Sequence, residues 1–433
     1  MGCNESKANK NRVQPKNQDD ITPKIYLNDH YNSSSNSDIK STSRTTSELS
    51  PRISSRRPSK GSNKPVKPEI EFVGSAVENG RHEQYVDLCE WSPKSDILVT
   101  ASSDQKVNLW NVQVIHNMNI GELPMSSDEP SNISALTWSD NGKIFVTGSE
   151  NGIVSAWTSN GKLLQNWTAH NSGGVKCVKI NSYHDLILSG SLNEICIYSL
   201  KLKKAKLLCW NQSEVTALEW FNKETFLAGE ASGMITMDKI STTELIELEE
   251  YDQEDFIPES NPIYQCQSHI GGIYKILSHP INREISASCS VDCTIKIWNF
   301  QGKKPNGDPI TLEGHFGYVT DITWLSTSHK LASVSYDGTV KIWDALKAHC
   351  LFTLQEGLGF VQCISATKSG LYLASAGHDG IVYFWNTKTG NLVAKYDGPG
   401  RIMTASFNSS NNKIAVTSYG SVTVLELSFH HQQ

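Results

Sequence analysis

From residue 69 onward, short runs of alternating apolar and polar residues are separated by clusters of Gly, Asn, Asp and Ser. Alternation with a period of two predicts half-buried β-strands joined by tight turns. One ladder recurs eight times. A Val or Ile opens a short strand, at Val86, Ile133, Val175, Val215, Ile273, Val319, Val361 and Ile402. A later strand ends 23 to 25 residues on, at Trp110, Trp157, Tyr198, Asp238, Trp298, Trp343, Trp385 and Leu425. Constant internal spacing with variable gaps marks one supersecondary unit, copied. The steps between strand-ending positions are 47, 41, 40, 60, 45, 42 and 40 residues. Units of about 40–45 residues with four short strands have the spacing of propeller blades. The predicted fold is therefore all-β, an eight-bladed β-propeller over 69–428.

Two irregularities bear on this layout. The 60-residue step contains STTELIELEEYDQEDFIPESNP (241–262), with eight acidic and no basic residues. It reads as a long solvated loop inserted between blades four and five. At the other end, only SFHHQQ follows Leu427, too little for the outermost strand of the last blade. An open blade edge would leave unpaired backbone groups. The segment IEFVGSA (70–76) alternates suitably and is predicted to supply that strand and latch the ring.

Charge divides the chain. Net charge is −6, but residues 1–68 hold 13 Lys/Arg against 6 Asp/Glu, leaving 26 against 39 in the remainder. The Ser-, Asn- and Pro-rich stretch 1–68 has too few apolar residues to offset backbone ordering and is predicted to be a disordered basic tail. No stretch approaches the ~18–20 apolar residues of a membrane span, and MGCNESK lacks the apolar core of a secretory signal. Ten cysteines without a C-x-x-C pair point to free thiols in a reducing compartment.

The repeat carries polar residues at fixed places. His82, His170, His269 and His315 precede opening strands, and Asp104, Asp292, Asp337 and Asp379 stand six residues before a Trp. Blade six shows the full set, His315, Ser333, Asp337 and Trp343, within EGHFGYVTDITWLSTSHKLASVSYDGTVKIWD. This resembles the WD-repeat family, in which Asp, His, Ser/Thr and Trp form a hydrogen-bonded network within the blade. The resemblance implies the same role for His269, Ser288, Asp292 and Trp298, for His82, Thr100, Asp104 and Trp110, and for Ser375, Asp379 and Trp385. His beside Ser and Asp also suggests a catalytic triad. Recurrence in several blades and packing beneath a Trp argue instead for a buried structural network. Blades two, three, four and eight depart from the pattern: Asn151 stands at the Asp position, blade three is one residue short there, and Asp238, Tyr419 and Leu425 replace motif residues.

A narrower likeness rests on SDILVTASSD, IVSAWTSNGKL, LYLASAGHDGIVYFWNTKTGNLVAKYDGPGRI and SYGSVTVLEL. Over about residues 80–427 the chain resembles the transducin-β-like (F-box-like/WD-repeat) corepressor subunits. That implies a non-catalytic nuclear scaffold for corepressor, histone deacetylase or histone-like partners. The family's N-terminal LisH and F-box-like regions have no counterpart here, so oligomerisation is not expected. Direct nucleic-acid binding is not expected of an acidic body. No phosphate-cradling loop, metal-ligand spacing or nucleophile motif stands outside the repeat, so neither a cofactor nor an enzyme is predicted.

The first residues point elsewhere. Met1-Gly2-Cys3-Asn4-Glu5-Ser6 fits the myristoylation pattern at Gly2, with Cys3 a palmitoylation candidate. One acyl chain binds marginally, and Cys3 or nearby lysines supply a second signal. The alternative function is therefore a lipid-anchored adaptor on the cytoplasmic face of a membrane. Arg56-Arg57-Pro58-Ser59 resembles a basophilic kinase site at Ser59. For protein binding, the segments just before opening strands and turn aspartates share one rim. Blades six to eight place Phe316, Tyr318, Tyr336, Leu358, Phe360, His378, Arg401 and Tyr419 there, with Tyr318, Phe360 and Arg401 preferred as contacts.

Overall fold

The computed structural model describes residues 69–430 except 80, 113–118, 123–130, 182–184, 211–212, 241–261, 302–303, 326–328 and 358. Gly2, Cys3, Ser59 and Leu358 lie outside the described residues. The described chain forms eight antiparallel sheets, each a blade built mainly from consecutive strands. Blade six is representative: Val319–Trp324, Lys330–Ser335, Val340–Asp344 and His349–Leu354 run from the first strand to the fourth. In such a meander the first and third turns emerge on one rim, here the lower. The second turn and the link to the next blade emerge on the upper rim.

Blade eight is closed from the other end of the chain. Ile70–Asn79 pairs antiparallel with Ser421–Phe429, from Ile70 opposite Phe429 to Asn79 opposite Ser421. The latch expected over 70–76 is present and runs on to Asn79. It supplies the blade's outermost strand, so the edge that Ser421–Phe429 would expose is paired.

The acidic insertion lies elsewhere than expected. Tyr264–Gln267 pairs with Met234–Lys239, so it is the fourth strand of blade four. Residues 241–262 therefore interrupt blade four between its third and fourth strands, rather than joining blades four and five. The expectation failed because the step was measured between third strands, which cannot tell on which side of a fourth strand the extra residues fall.

The core lies between blades. Leu325, Val334 and Ile342 of blade six pack with Leu373, Tyr383 and Trp385 of blade seven. Polar contacts join the same neighbours. The Trp91 and Trp138 indoles donate to Ser406 O and Glu90 O of the preceding blades, at 2.9 and 3.2 Å. Trp220 and Trp324 make the equivalent approach at 3.5 and 3.4 Å. In the opposite direction, the Ser134, Thr216 and Thr320 hydroxyls donate to Val175 O, Ile273 O and Val361 O of the next blade. Each such bond satisfies a buried group that would otherwise cost about 1–3 kcal/mol.

Candidate functional site

Two constellations recur: a buried polar network within blades and a ring of aromatic side chains on the upper rim.

In blade six, Ser333 and Trp343 lie diagonally on neighbouring strands, Ser333 being opposite Lys341 and Trp343 opposite Leu331, and the link and the turn bring in His315 and Asp337. The Trp343 indole donates to Ser333 Oγ at 2.8 Å, Ser333 Oγ lies 2.8 Å from His315 Nε2, and His315 Nδ1 lies 2.9 Å from Asp337 Oδ2. An indole can only donate, so the Ser333 oxygen accepts from it, and with a neutral imidazole the Ser333 proton goes to Nε2. That leaves Nδ1–H to donate to the carboxylate. Blade five repeats the chain: Trp298 to Ser288 at 3.0 Å, Ser288 to His269 at 2.9 Å, and His269 to Asp292 at 2.9 Å. In blade one the links are Trp110 to Thr100 at 2.8 Å, Thr100 to His82 at 2.9 Å, and His82 to Asp104 at 3.1 Å.

The carboxylates are held charged. Burial works against the charge on Asp104, but His82 and the Glu83 and Lys106 N–H groups outweigh it and bring its pKa down to about 2. Asp292 and Asp337 are lowered further; burial opposes the shift, and bonds from His269 and Thr294, or from His315 and Thr339, overcome it. The grouping has the composition of a hydrolase triad without its accessibility. Ser288 and Ser333 have no exposed surface, and each oxygen already accepts an indole N–H. These hydroxyls cannot meet a substrate.

Two blades reach the same end with other residues. In blade three the turn Ser191–Glu194 is one residue shorter than in blade five, where Ser290–Thr294 does the same work. Glu194, one methylene longer than Asp, spans the deficit: its Oε1 lies 2.9 Å from His170 Nδ1, and His170 Nε2 lies 2.9 Å from Ser189. Burial pulls the His170 pKa down, opposed by Glu194. Blade seven has Gly357 where blade six has His315, each four residues before the opening Val. A Cβ there would stand 2.3 Å from both Asp379 Oδ2 and the Tyr383 hydroxyl, because Tyr383 occupies the space of the missing imidazole. Its O–H donates to Asp379 at 2.8 Å, while Trp385 donates to Ser375 at 2.9 Å. Ser375, Asp379 and Trp385 are thus brought near one another, but through a phenol instead of a histidine. In blade four the wholly buried Glu230 accepts from Ser213 and Ser232 at 3.1 Å. Glu194 and Glu230 escaped sequence reading because they sit off the expected register. Tyr383 escaped because an aromatic within a strand looks like core.

On the upper rim, ring centroids step from Tyr318 to Tyr336 (5.9 Å), Phe360 (4.9 Å) and His378 (5.2 Å). Phe316 is 92%, Tyr419 61%, Phe360 48% and Tyr318 43% exposed. Tyr336 and His378 are half-buried between the exposed rings. Arg401 is also half-buried, its Nη2 donating to Gln362 Oε1 at 3.1 Å. Tyr419 meets Tyr85 edge-on at 5.0 Å, which carries the aromatic surface into blade one. Tyr85 and the 96% exposed Ile270 lie outside the rim residues expected from blades six to eight, although both precede their opening strands as Tyr318 does. Among the described residues the exposed aromatics are Tyr85, Phe316, Tyr318, Phe360 and Tyr419, all on this rim.

Comparison with known proteins agrees with the architecture. The "WD domain, G-beta repeat" family matches residues 260–299, 309–344 and 348–386, and the anaphase-promoting complex subunit 4 WD40 domain matches 89–183. The first of these matches, 260–299, takes in the fourth strand of blade four, Tyr264–Gln267, ahead of blade five, so the sequence unit is staggered against the blade. The F-box-like/WD repeat-containing protein TBL1X of Mus musculus is 29% identical over 363 residues, covering 80% of this chain and 66% of that protein. Human TBL1Y matches equally, with 29% identity and the same coverage. The WD40 repeat-containing protein HOS15 of Arabidopsis thaliana is 28% identical over 61% of this chain and 43% of its own length. The chain therefore spans just under two thirds of the mouse TBL1X and human TBL1Y relatives. The C-terminal WD40 domain of Sif2 shares the fold at TM-score 0.67 and 21% identity, covering 81% of this chain and 98% of the domain. The designed protein Ika8 does so at 0.65 and 20%, with the same coverage. WD-repeat propellers are generally non-catalytic interaction scaffolds. This chain is a WD-repeat protein, an eight-bladed propeller resembling the transducin-β-like proteins.

Proposed function

We propose that the chain is a scaffold of the transcriptional corepressor type, capturing a protein partner on the upper rim of blades six to eight. The contiguous ladder Tyr318–Tyr336–Phe360–His378, with its outer rings exposed, carries this reading. Aromatic anchors on an open surface are where binding energy concentrates. The partner class, corepressor and histone deacetylase subunits in the nucleus, follows from likeness to the transducin-β-like proteins. The test is co-purification of deacetylase activity with the tagged chain. Retained activity that falls at least tenfold in a Tyr318→Ala/Phe360→Ala chain supports the reading; activity absent, or indifferent to these substitutions, refutes it.

A second reading is favoured by one observation, the Met-Gly-Cys start with Ser6 at the Ser/Thr position of the myristoylation pattern. It makes the same scaffold a membrane adaptor acylated at Gly2 and Cys3. Localising wild type beside Gly2→Ala separates the two: release from membranes supports the adaptor, and an unchanged nuclear signal removes it.

A further inference from the structure

The upper rim faces a charge imbalance that the aromatic ladder leaves unanswered. On the links and turns of blades six, seven, eight and one (313–318, 336–339, 355–360, 378–380, 397–401, 419–420, 80–85 and 103–106) seven carboxylates stand against two guanidinium groups and one ammonium group. Glu83, Glu313, Glu356 and Asp397 are the exposed members; Lys106 lies 3.6 Å from Glu83 and Lys395 3.9 Å from Glu356, so the excess of acid is concentrated at Glu313 and Asp397. The opposite composition lies within the same chain. Residues 52–67, RISSRRPSKGSNKPVK, carry six Lys/Arg and no acidic residue.

The point of entry brings the two within reach. Glu69 is fixed at the lower rim beside blade eight, where its carbonyl accepts from His430 N at 2.9 Å and its carboxylate from Asn386 Nδ2 at 2.8 Å. The latch strand Ile70–Asn79 spans the blade's height, roughly 33 Å for ten residues at about 3.3 Å each. Arg56 and Arg57 stand 13 and 12 residues before Glu69, enough extended chain for about 40 Å. They can therefore pass up the outside of blade eight and reach Tyr419, Tyr85 and Phe360. Arginine suits such a surface, because its planar guanidinium stacks on aromatic rings and pairs with carboxylates. Tethering makes the contact intramolecular and so favours it over the same contact made from solution, although the linker must run nearly extended to form it.

We propose that the basic segment 52–57 folds back onto the aromatic and acidic upper rim of its own propeller and competes there with external partners. Ser59 lies two residues beyond that segment, and a phosphate on it would add about two negative charges beside Arg56 and Arg57, competing with the rim for them and releasing the tail. The contact deepens the reading of the rim as a protein-binding surface. It is tested by direct binding, so its failure leaves the co-purification test untouched.

The experiment adds a labelled peptide of residues 50–68 to the purified full chain and follows anisotropy. Wild type, its rim already occupied, is expected to bind at least tenfold more weakly than a chain with Arg52, Arg56 and Arg57 changed to Ala. Adding Phe360→Ala and Tyr419→Ala to that chain should abolish binding, and phosphate on the peptide's Ser59 should weaken it. Both rings are exposed, and melting curves check that the variants fold. Equal affinity for wild type and tail variant, no binding to the tail variant, or indifference to the two rim substitutions overturns the proposal. So does equal binding of a scrambled peptide, which would leave bulk charge alone. Sedimentation is the second measurement: concentration-dependent association abolished by the tail substitutions would seat a neighbour's tail on the rim and overturn the intramolecular contact.

Discussion

Blades six and seven are adjacent and nearly superimposable in strand register, yet they bury different chemistry at the same place. Blade six uses His315 between Ser333 and Asp337; blade seven has Gly357 and reaches Asp379 from the opposite strand with Tyr383. Both keep a Trp indole satisfied by a hydroxyl and a turn carboxylate satisfied by a donor inside the blade. What the fold requires is therefore paired polar groups at two fixed points, not a particular histidine. The price differs. His315 ties link, turn and second strand together, whereas Tyr383 ties only the third strand to the turn, and Ser375 is left serving Trp385.

The comparison can be broken at several points. Blade eight lacks both devices and depends on a strand from the far end of the chain, so it should give the largest effect. Deleting 69–77 is expected to cost at least about 5 kcal/mol, read as a sharp fall in melting temperature, well beyond ordinary substitutions. An unchanged melt would mean the latch is dispensable.

His315→Ala should come next, at about 3 kcal/mol by denaturant unfolding, because it removes the bonds to both Ser333 and Asp337 and leaves a cavity, although Phe316 and Thr339 still donate to the carboxylate. Tyr383→Phe removes one hydrogen bond and keeps the ring, so about 1 kcal/mol is expected. Equal losses would show that the two blades rely on their networks alike and would end the distinction drawn above.

Blade three offers a test of length. Glu194→Asp keeps the charge but withdraws it by one methylene from His170, and a loss of about 2 kcal/mol is expected. Inserting one residue in the Ser191–Glu194 turn together with Asp should recover part of that loss. Failure to recover would show that turn length is not what selected Glu.

The smallest effect is in pH dependence. The His170 pKa lies below its ordinary 6.5 because burial disfavours the charged ring, so its contribution is complete above that pH and is lost as pH falls below it. Asp104 is lowered from 3.8 to about 2, and its contribution holds until pH falls below 3.8 and disappears on passing about 2. Melting temperature should therefore decline in two stages on acidification. The first, no steeper than about 1.4 kcal/mol per pH unit, should be missing in His170→Gln. Its persistence there would assign it to another group.

Much of this was legible in advance. The opening Val or Ile, the Trp and the turn Asp are set by strand length and turn geometry, which are local, so their spacing repeats and can be counted. The latch was legible from a deficit, since the last blade lacked a strand. Glu194 and Tyr383 were not, because they replace a function rather than a position. The inter-blade bonds of Trp91, Trp138, Ser134 and Thr216 were not either, because their partners are carbonyls of another blade. The rim was half legible: its segments could be named, but not which rings stack and which stand open.

The sequence by itself determined the number of blades, the closing strand and the buried character of the His-containing set, because strand alternation and turn spacing act over a few residues. Only the tertiary structure decided that the insertion splits blade four, and that a phenol and a glutamate stand in for missing partners. It also brought five exposed aromatics from blades one, six, seven and eight onto one rim. Those outcomes depend on distances between residues far apart in the chain, and these are fixed only when the ring closes.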